Sequence, residues 1–184
     1  MNTVPDYVKP GDFGLVHMGG QGGKWINIGQ KVNSALRGDK SAADYQHAFV
    51  YAGYGNIVEA EPSGAKSNPF HYGPDVLWSS RYIHLTDLDR MAITEAAHSY
   101  IGVGYSYLDY FAIAAHTLHL PHAPGLKSYV ASSKHMICSQ LVDQCYADAG
   151  VHLFTDGRWP GYVTPDALAS LLNPGALKLA DVSR

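Results

Sequence analysis

Charged residues and cysteines are both scarce in this chain of 184 residues, and each shortage excludes a class of protein. Charged side chains make up only 16% of the sequence and lysine and arginine form no cluster, so we expect no nucleic-acid partner. No window holds the roughly 20 apolar residues that a membrane-spanning helix needs, so we expect no integral membrane segment. The glycine-rich stretch before Lys24 is not a phosphate-binding loop, because Trp25 stands where that motif has serine or threonine.

The N-terminal residues Met1–Asp6 contain neither a basic region nor an apolar stretch, which argues against a signal peptide. We therefore expect a cytoplasmic protein, while export by a phage or injected-effector route stays open. The two cysteines, Cys138 and Cys145, are seven positions apart. Within one helix they would lie roughly 10 Å apart, whereas a disulfide needs Cα atoms within about 7 Å. Two free thiols in a reducing compartment are the simpler interpretation.

Apolar residues, by contrast, make up 46% of the chain, which is enough for a sizeable core. The length fits a single domain over residues 1–184, and the patterns predict an α+β fold in which an antiparallel sheet packs against a few helices. The predicted strands are Phe13–His17, His47–Ala52, Ile57–Glu61, Arg81–Leu85 and Leu177–Val182. The predicted helices are Trp25–Leu36, Thr86–Gly102, Tyr107–Leu118, Cys138–Ala149 and Thr164–Leu172, with a long loop at Pro62–Ser80.

Cys138 is the strongest candidate for a chemical role because it lies in the first turn of a predicted helix. The unpaired N–H groups and the positive end of the helix dipole favour a thiolate there, and the thiolate is the reactive form. Cys145 lies two turns further along the apolar stripe, where burial should raise its pKa, so we interpret it as part of the core. A buried structural thiol is the alternative interpretation of Cys138 as well.

A thiolate nucleophile needs a base within hydrogen-bond reach, and the base needs a third group to orient it. In the predicted hairpin, His47 lies on the first strand and Glu59 on the second, with the turn at Gly53–Asn56 between them. His47 and Glu59 fit the two roles, and Glu61 is a rival for the third because it shares a face with Glu59. The alternative interpretations are a half-buried strand histidine and a solvent-facing glutamate.

Three histidines of one predicted helix and its exit, His116, His119 and His122, raise the question of a metal site. Pro121 breaks the predicted helix before His122, and no acidic residue or cysteine lies nearby to complete a ligand set. We therefore expect no metal and no cofactor. The tyrosines that are candidates for substrate contact are Tyr45, Tyr105 and Tyr107.

Three segments of the chain contain short motifs: a Gly-Asp pair, a histidine on a hairpin and a cysteine at the start of a helix. Pro10-Gly11-Asp12 precedes a strand, His47–Gly53 with Ile57–Ala60 forms a histidine hairpin, and Ile137–Val142 opens the cysteine helix. These segments resemble the circularly permuted NlpC-type papain-like superfamily, which includes the YiiX-like and the lecithin retinol acyltransferase-like proteins. The order of histidine before cysteine is typical of the permuted group, because unpermuted papain-like enzymes place the cysteine first. The family's ending is matched by Gly150-Val151 and Thr164-Pro165-Asp166, so the resemblance spans almost the whole chain.

The resemblance implies a permuted papain-like fold with Cys138 as nucleophile, His47 as general base and Glu59 as the orienting third residue. It also implies an oxyanion hole built partly from the backbone N–H of Cys138, with further donors near the first strand. Gln140 departs from the family pattern, in which glutamate is frequent, and we expect this to change a helix-surface contact more than the chemistry.

We predict a cysteine hydrolase that cleaves an amide bond through an acyl-enzyme on Cys138, a peptidase or amidase with cell-wall peptide as one candidate substrate. A second nucleophile in place of water would make the protein a transferase. The alternatives are a lipid-directed acyltransferase or thioesterase, a deubiquitinase-like or toxin-like protease, and a catalytically silent binding domain of the same fold. The segments Pro62–Ser80 and His116–Lys134 match no family motif, so the peptide or acyl substrate stays open.

Overall fold

The computed structural model describes residues 3–17, 45–104, 136–157 and 163–172. Over these ranges the chain is α+β, as the sequence predicts. The strands are β1 (Phe13–Val16), β2 (His47–Gly53), β3 (Asn56–Glu61), β4 (Gly64–Pro69) and β5 (Leu77–Trp78). The helices are α1 (Asp87–Ser99), α2 (Cys138–Asp148) and α3 (Pro165–Leu171), with a short 3-10 turn at Ser79–Arg81. The predicted helices Trp25–Leu36 and Tyr107–Leu118 and the predicted strand Leu177–Val182 lie outside the described residues.

The described strands form one antiparallel sheet in the order β4-β3-β2-β1-β5. The β2–β3 hairpin turns at Tyr54 and Gly55, whose φ angles of 52° and 75° are both positive. Tight hairpin turns of this kind require such angles, which glycine adopts without steric cost. In the register of the hairpin, Phe49 lies opposite Glu59 and Tyr51 opposite Ile57. The predicted hairpin and its shared face are therefore confirmed.

The sheet separates two buried clusters because successive strand residues point to opposite faces. On one face, Ala48 and Val50 of β2 belong to the main core, which includes Leu141 and Val142 of α2. Helices α1 and α2 pack against β2 and against each other on this side. The opposite face carries what we call the aromatic cluster, formed by Phe49, Phe70 and Trp78 with the partly buried Tyr51 and Tyr72.

Gly11 and Asp12, just before β1, contact both α1 and α2. Asp12 is fully buried, accepts a hydrogen bond from the Lys9 N–H at 2.8 Å and pairs with Arg90 Nη1 of α1 at 2.9 Å. The hydroxyl of Tyr146 in α2 donates to the Gly11 carbonyl at 2.8 Å. The position of the cysteine helix on the sheet is thus fixed by contacts from a distant part of the chain.

The predicted helix boundaries are confirmed to within a few residues for all helices that the described ranges contain. Thr86 caps α1, with its Oγ1 accepting from the Asp89 N–H at 3.2 Å and the Asp89 carboxylate accepting from the Thr86 N–H at 2.8 Å. Gly150, with a φ of 77°, follows the end of α2. Within the described ranges, no helix has the length and apolar character that crossing a membrane would require.

Two predictions around the segment 62–85 were wrong. The predicted strand Arg81–Leu85 does not form, because the N–H groups of Tyr82 and Ile83 both bond to the Ser79 carbonyl within a turn, at 2.8 and 2.9 Å. The predicted loop Pro62–Ser80 instead contains β4 and β5. The polar sequence of β4 forms a strand at the edge of the sheet through its pairing with β3, and this pairing outweighs its poor strand propensity.

Candidate active site

His47 and Glu59 meet across the β2–β3 hairpin. His47 is the first residue of β2 and Glu59 lies in the middle of β3, two positions away in register on the same face. His47 Nε2 and Glu59 Oε2 are 2.7 Å apart, with the imidazole 12% exposed and the carboxylate fully buried. The neighbouring Glu61 is 34% exposed and pairs instead with Lys66 Nζ at 3.7 Å. Of the two candidate glutamates, the structure therefore brings Glu59 to His47.

The Glu59 carboxylate has two further donors. Asn68 Nδ2 of β4 donates to Oε1 at 2.9 Å, and the Tyr72 hydroxyl donates to Oε2 at 2.6 Å. Sequence reasoning missed both residues because they fall in the segment interpreted as a loop without a motif. The signal that could have found them is Glu59 itself, since a carboxylate buried inside a sheet requires hydrogen-bond donors from its neighbours.

Cys138 is the first residue of α2, and its side chain is hydrogen-bonded to that of His47. Because Nε2 of the imidazole pairs with Glu59, we infer that Nδ1 is the nitrogen that contacts the thiol. The contact lies where β2 begins and α2 starts, and only 1% of Cys138 is exposed. The structure thus brings together the three predicted site residues Cys138, His47 and Glu59.

The first turn of α2 leaves backbone donors beside the thiol. The helical hydrogen bonds begin with the Leu141 N–H donating to the Ile137 carbonyl at 2.9 Å, so the N–H groups before Leu141 have no acceptor inside the helix. Ile137 has no side-chain acceptor, but Gln140 Oε1 accepts from the Ile137 N–H at 3.4 Å. Gln140 therefore makes a local cap contact through an amide. The oxyanion hole at the Cys138 N–H stays a prediction.

Charge distribution at the site favours a protonated histidine. Burial alone would lower the pKa of His47, but the interactions with Cys138 and then with Glu59 raise it to about 10. Burial would likewise raise the pKa of Glu59, yet the hydrogen bonds from His47, Asn68 and Tyr72 hold it at about 2. An imidazolium between a carboxylate and a sulfur is the arrangement in which a cysteine is held as a thiolate.

Cys145 lies in a different environment although it belongs to the same helix. Its side chain is fully buried in the main core, and burial raises the pKa of its thiol. Both cysteines are free thiols, as the sequence predicts. The start of α2 is fixed separately, because the buried Ser139 hydroxyl donates to the Val163 carbonyl at 2.7 Å.

Of the tyrosines and histidines that the sequence suggested for substrate or metal contact, the described residues include only Tyr45. Tyr45 is half-buried just before β2 and stacks on His17, with ring centroids 4.2 Å apart. No group of three or more histidine, cysteine or acidic side chains suited to a metal occurs among the described residues. The remaining tyrosine and histidine candidates lie outside the described ranges: Tyr105, Tyr107, His116, His119 and His122.

No protein-family model matches the sequence, and no curated protein is significantly similar to it. The resemblance to permuted papain-like hydrolases therefore rests on the short motifs alone, and the chemistry must be argued from the geometry of the site.

Proposed function

We propose that this protein is a cysteine hydrolase of permuted papain-like fold that cleaves an amide bond through an acyl-enzyme on Cys138. The observation that carries the proposal is the position of His47, hydrogen-bonded to Cys138 on one side and to Glu59 on the other. Acyl transfer by a thiol requires a nucleophile that contacts a base, and a base that is oriented by a third group such as a carboxylate. Cys138, His47 and Glu59 contact one another in that order.

In this mechanism the Cys138 thiolate attacks the substrate carbonyl, an S–C bond forms and the negative charge moves to the carbonyl oxygen. The backbone N–H of Cys138 donates a hydrogen bond to that oxygen. The imidazolium of His47 gives its proton to the departing amine as the C–N bond breaks, which leaves an acyl-enzyme. A water molecule then attacks the thioester, His47 accepts the water proton, and the acid product leaves with the thiolate restored.

Two features of the fold support the permuted papain-like assignment. The histidine lies on a strand of an antiparallel sheet, and that strand precedes the cysteine helix in the chain. The cysteine helix then packs back against the same strand. The contact between His47 and Cys138 favours a hydrolase over a catalytically silent binding domain, for which these side chains would have no reason to meet. Among amides, a peptide bond is the favoured substrate, and cell-wall peptide is one candidate.

The test is to trap the acyl-enzyme and then to ask which bonds are turned over. We expect incubation with p-nitrophenyl acetate to acetylate Cys138, which peptide mapping by mass spectrometry locates, and peptide nitroanilides to release nitroaniline. Cys138→Ala should abolish both reactions, and the matched variant Cys145→Ala should retain them. Nitroaniline release that persists in Cys138→Ala, or a wild-type Cys138 that is not acetylated, would contradict the proposal. Turnover of esters and thioesters without any amide would replace the amidase by a thioesterase.

A further inference from the structure

We propose that Asn68 and Tyr72 are positioning residues of the active site, which act through Glu59 by holding its carboxylate in the one orientation that bonds His47. The inference rests on the proposed function and deepens it, because it adds to the cysteine, histidine and glutamate a set of donors that the sequence motifs do not contain.

The Glu59 carboxylate accepts hydrogen bonds on both of its oxygens. Its Oε2 accepts from both His47 Nε2, at 2.7 Å, and the Tyr72 hydroxyl, at 2.6 Å, while Oε1 accepts from Asn68 Nδ2 at 2.9 Å. A glutamate side chain has several rotatable bonds, and this one is fully buried. Donors on both oxygens therefore determine where the carboxylate plane lies, and the direction of the bond to His47 follows from that plane.

Tyr72 is held in place by the aromatic cluster. Its ring stacks on Phe49 with the centroids 4.9 Å apart and the planes 5° from parallel, and it lies 5.9 Å from the His47 ring. Phe49 is the residue opposite Glu59 in the hairpin register. Gly14 of β1 leaves room for the Phe49 ring, since a Cβ there would lie 2.5 Å from Phe49 Cζ. The hydroxyl of Tyr72 is thus aimed at Glu59 by a packed aromatic surface.

The charge of the site favours neutral donors to Glu59. With Cys138 as the thiolate that the proposed function requires, the His47 imidazolium and the Glu59 carboxylate complete a set with a net negative charge in a buried environment. Glu61 adds a further negative charge nearby, where it pairs with Lys66 Nζ at 3.7 Å and accepts from Asn68 Nδ2 at 3.4 Å. Neutral donors stabilise such a set without competing for its proton. Burial and the nearby Glu59 raise the pKa of Tyr72, so its phenol keeps the hydrogen that it donates.

The experiment is the pH dependence of Cys138 alkylation by iodoacetamide, in which the S–C bond forms and iodide leaves. Tyr72→Phe keeps the aromatic ring and removes only the donor. Because a hydrogen bond to a charged group is involved, we expect alkylation near pH 6 to slow by about tenfold, with the profile moving toward that of an ordinary thiol. The matched control is Tyr51→Phe, whose ring belongs to the same cluster and whose hydroxyl accepts from the Gly55 N–H instead.

A second pair of variants and a double mutant separate positioning from folding. Asn68→Ala should slow alkylation in the same way, and Asn56→Ala, which loses an exposed amide contact to the Tyr54 carbonyl, should not. In a Glu59→Gln background, the effect of Tyr72→Phe should be largely lost, because the two residues act through one carboxylate.

An unchanged pH profile in Tyr72→Phe and Asn68→Ala would overturn the inference, as would an undiminished effect in the Glu59→Gln background. Both results would leave the hydrolase proposal intact, provided that the wild-type thiol is activated. If wild-type Cys138 itself reacts like an ordinary thiol, the proposed function fails and the inference fails with it.

Discussion

Among the residues that the structure describes, two carboxylates are fully buried, Asp12 and Glu59, and they have different partners. Asp12 pairs with Arg90 at 2.9 Å, and Glu59 pairs with His47 at 2.7 Å. Arginine stays charged throughout the accessible pH range, whereas the imidazole of a histidine can both give and accept a proton. The first pair therefore connects the segment before β1 to α1, while the second can take part in proton transfer.

The pKa values of the two carboxylates are shifted in opposite directions. Burial raises the pKa of Asp12 in spite of its bonds to Lys9 and Arg90. The pKa of Glu59 is instead lowered to about 2, because hydrogen bonds from His47, Asn68 and Tyr72 outweigh its burial. Burial alone therefore does not distinguish the two carboxylates. Glu59 differs in having a titratable partner, His47, that in turn contacts Cys138.

The largest effect on stability is expected from the structural pair. Asp12→Ala leaves the Arg90 guanidinium, which is 15% exposed, without its buried partner. We expect the free energy of unfolding to fall by about 3 kcal/mol, because removing one member of a buried ion pair leaves the other charge uncompensated. Urea denaturation measures the change, and the exposed Asp75→Ala is the control, with an expected change within about 0.5 kcal/mol. A loss of Cys138 reactivity in folded Asp12→Ala would break the distinction between the two carboxylates.

The acid dependence of stability tests the other carboxylate. The pKa of Glu59 in the folded protein is about 2, below its ordinary value of 4.5, so folding favours the ionised form. The stability that this provides is complete above pH 4.5 and is lost as the pH falls toward 2. We expect Glu59→Gln to lose less stability than wild type across that interval in urea denaturation at each pH. Parallel curves for the two proteins would show that the carboxylate is not held as described.

The smallest effect on stability is expected from Tyr146, which contacts the residue next to Asp12. Tyr146→Phe removes the buried hydroxyl that donates to the Gly11 carbonyl at 2.8 Å. We expect the free energy of unfolding to fall by about 1 kcal/mol, the usual contribution of a neutral hydrogen bond, with the pH profile of Cys138 alkylation unchanged. Tyr72→Phe is the counterpart on the other side of the comparison, since it should change that profile. A similar change in Tyr146→Phe would mean that reactivity follows general packing.

The parts of the site that the sequence predicted are those encoded by local patterns. The hairpin that pairs His47 with Glu59 follows from strand alternation around a turn containing Gly55. The start of the cysteine helix follows from the spacing of apolar residues after Cys138 and from the stop at Gly150. These patterns act over a few residues, so they can be seen without tertiary structure.

The parts that the sequence did not predict depend on contacts between distant segments. Strand β4 has the sequence GAKSNP, which is poor in strand-forming residues, and only its pairing with β3 makes it a strand. The contacts of Asn68 and Tyr72 with Glu59 could not be predicted, because they form only when β4 and the segment after it pack beside Glu59 in the folded chain. The choice between Glu59 and Glu61 needed the side-chain contacts, because both share a face with His47 and the register alone, with Phe49 opposite Glu59, does not favour Glu59.

The central claim is that His47 holds Cys138 as a thiolate. The most direct test is the rate of Cys138 alkylation by iodoacetamide against pH in wild type and in His47→Ala, with mass spectrometry to separate Cys138 from Cys145. We predict a thiolate formed well below the ordinary thiol value of about 8.5 in wild type, and loss of this early reactivity in the variant. Reaction of both proteins as ordinary thiols near that value, with no dependence on His47, would contradict the account.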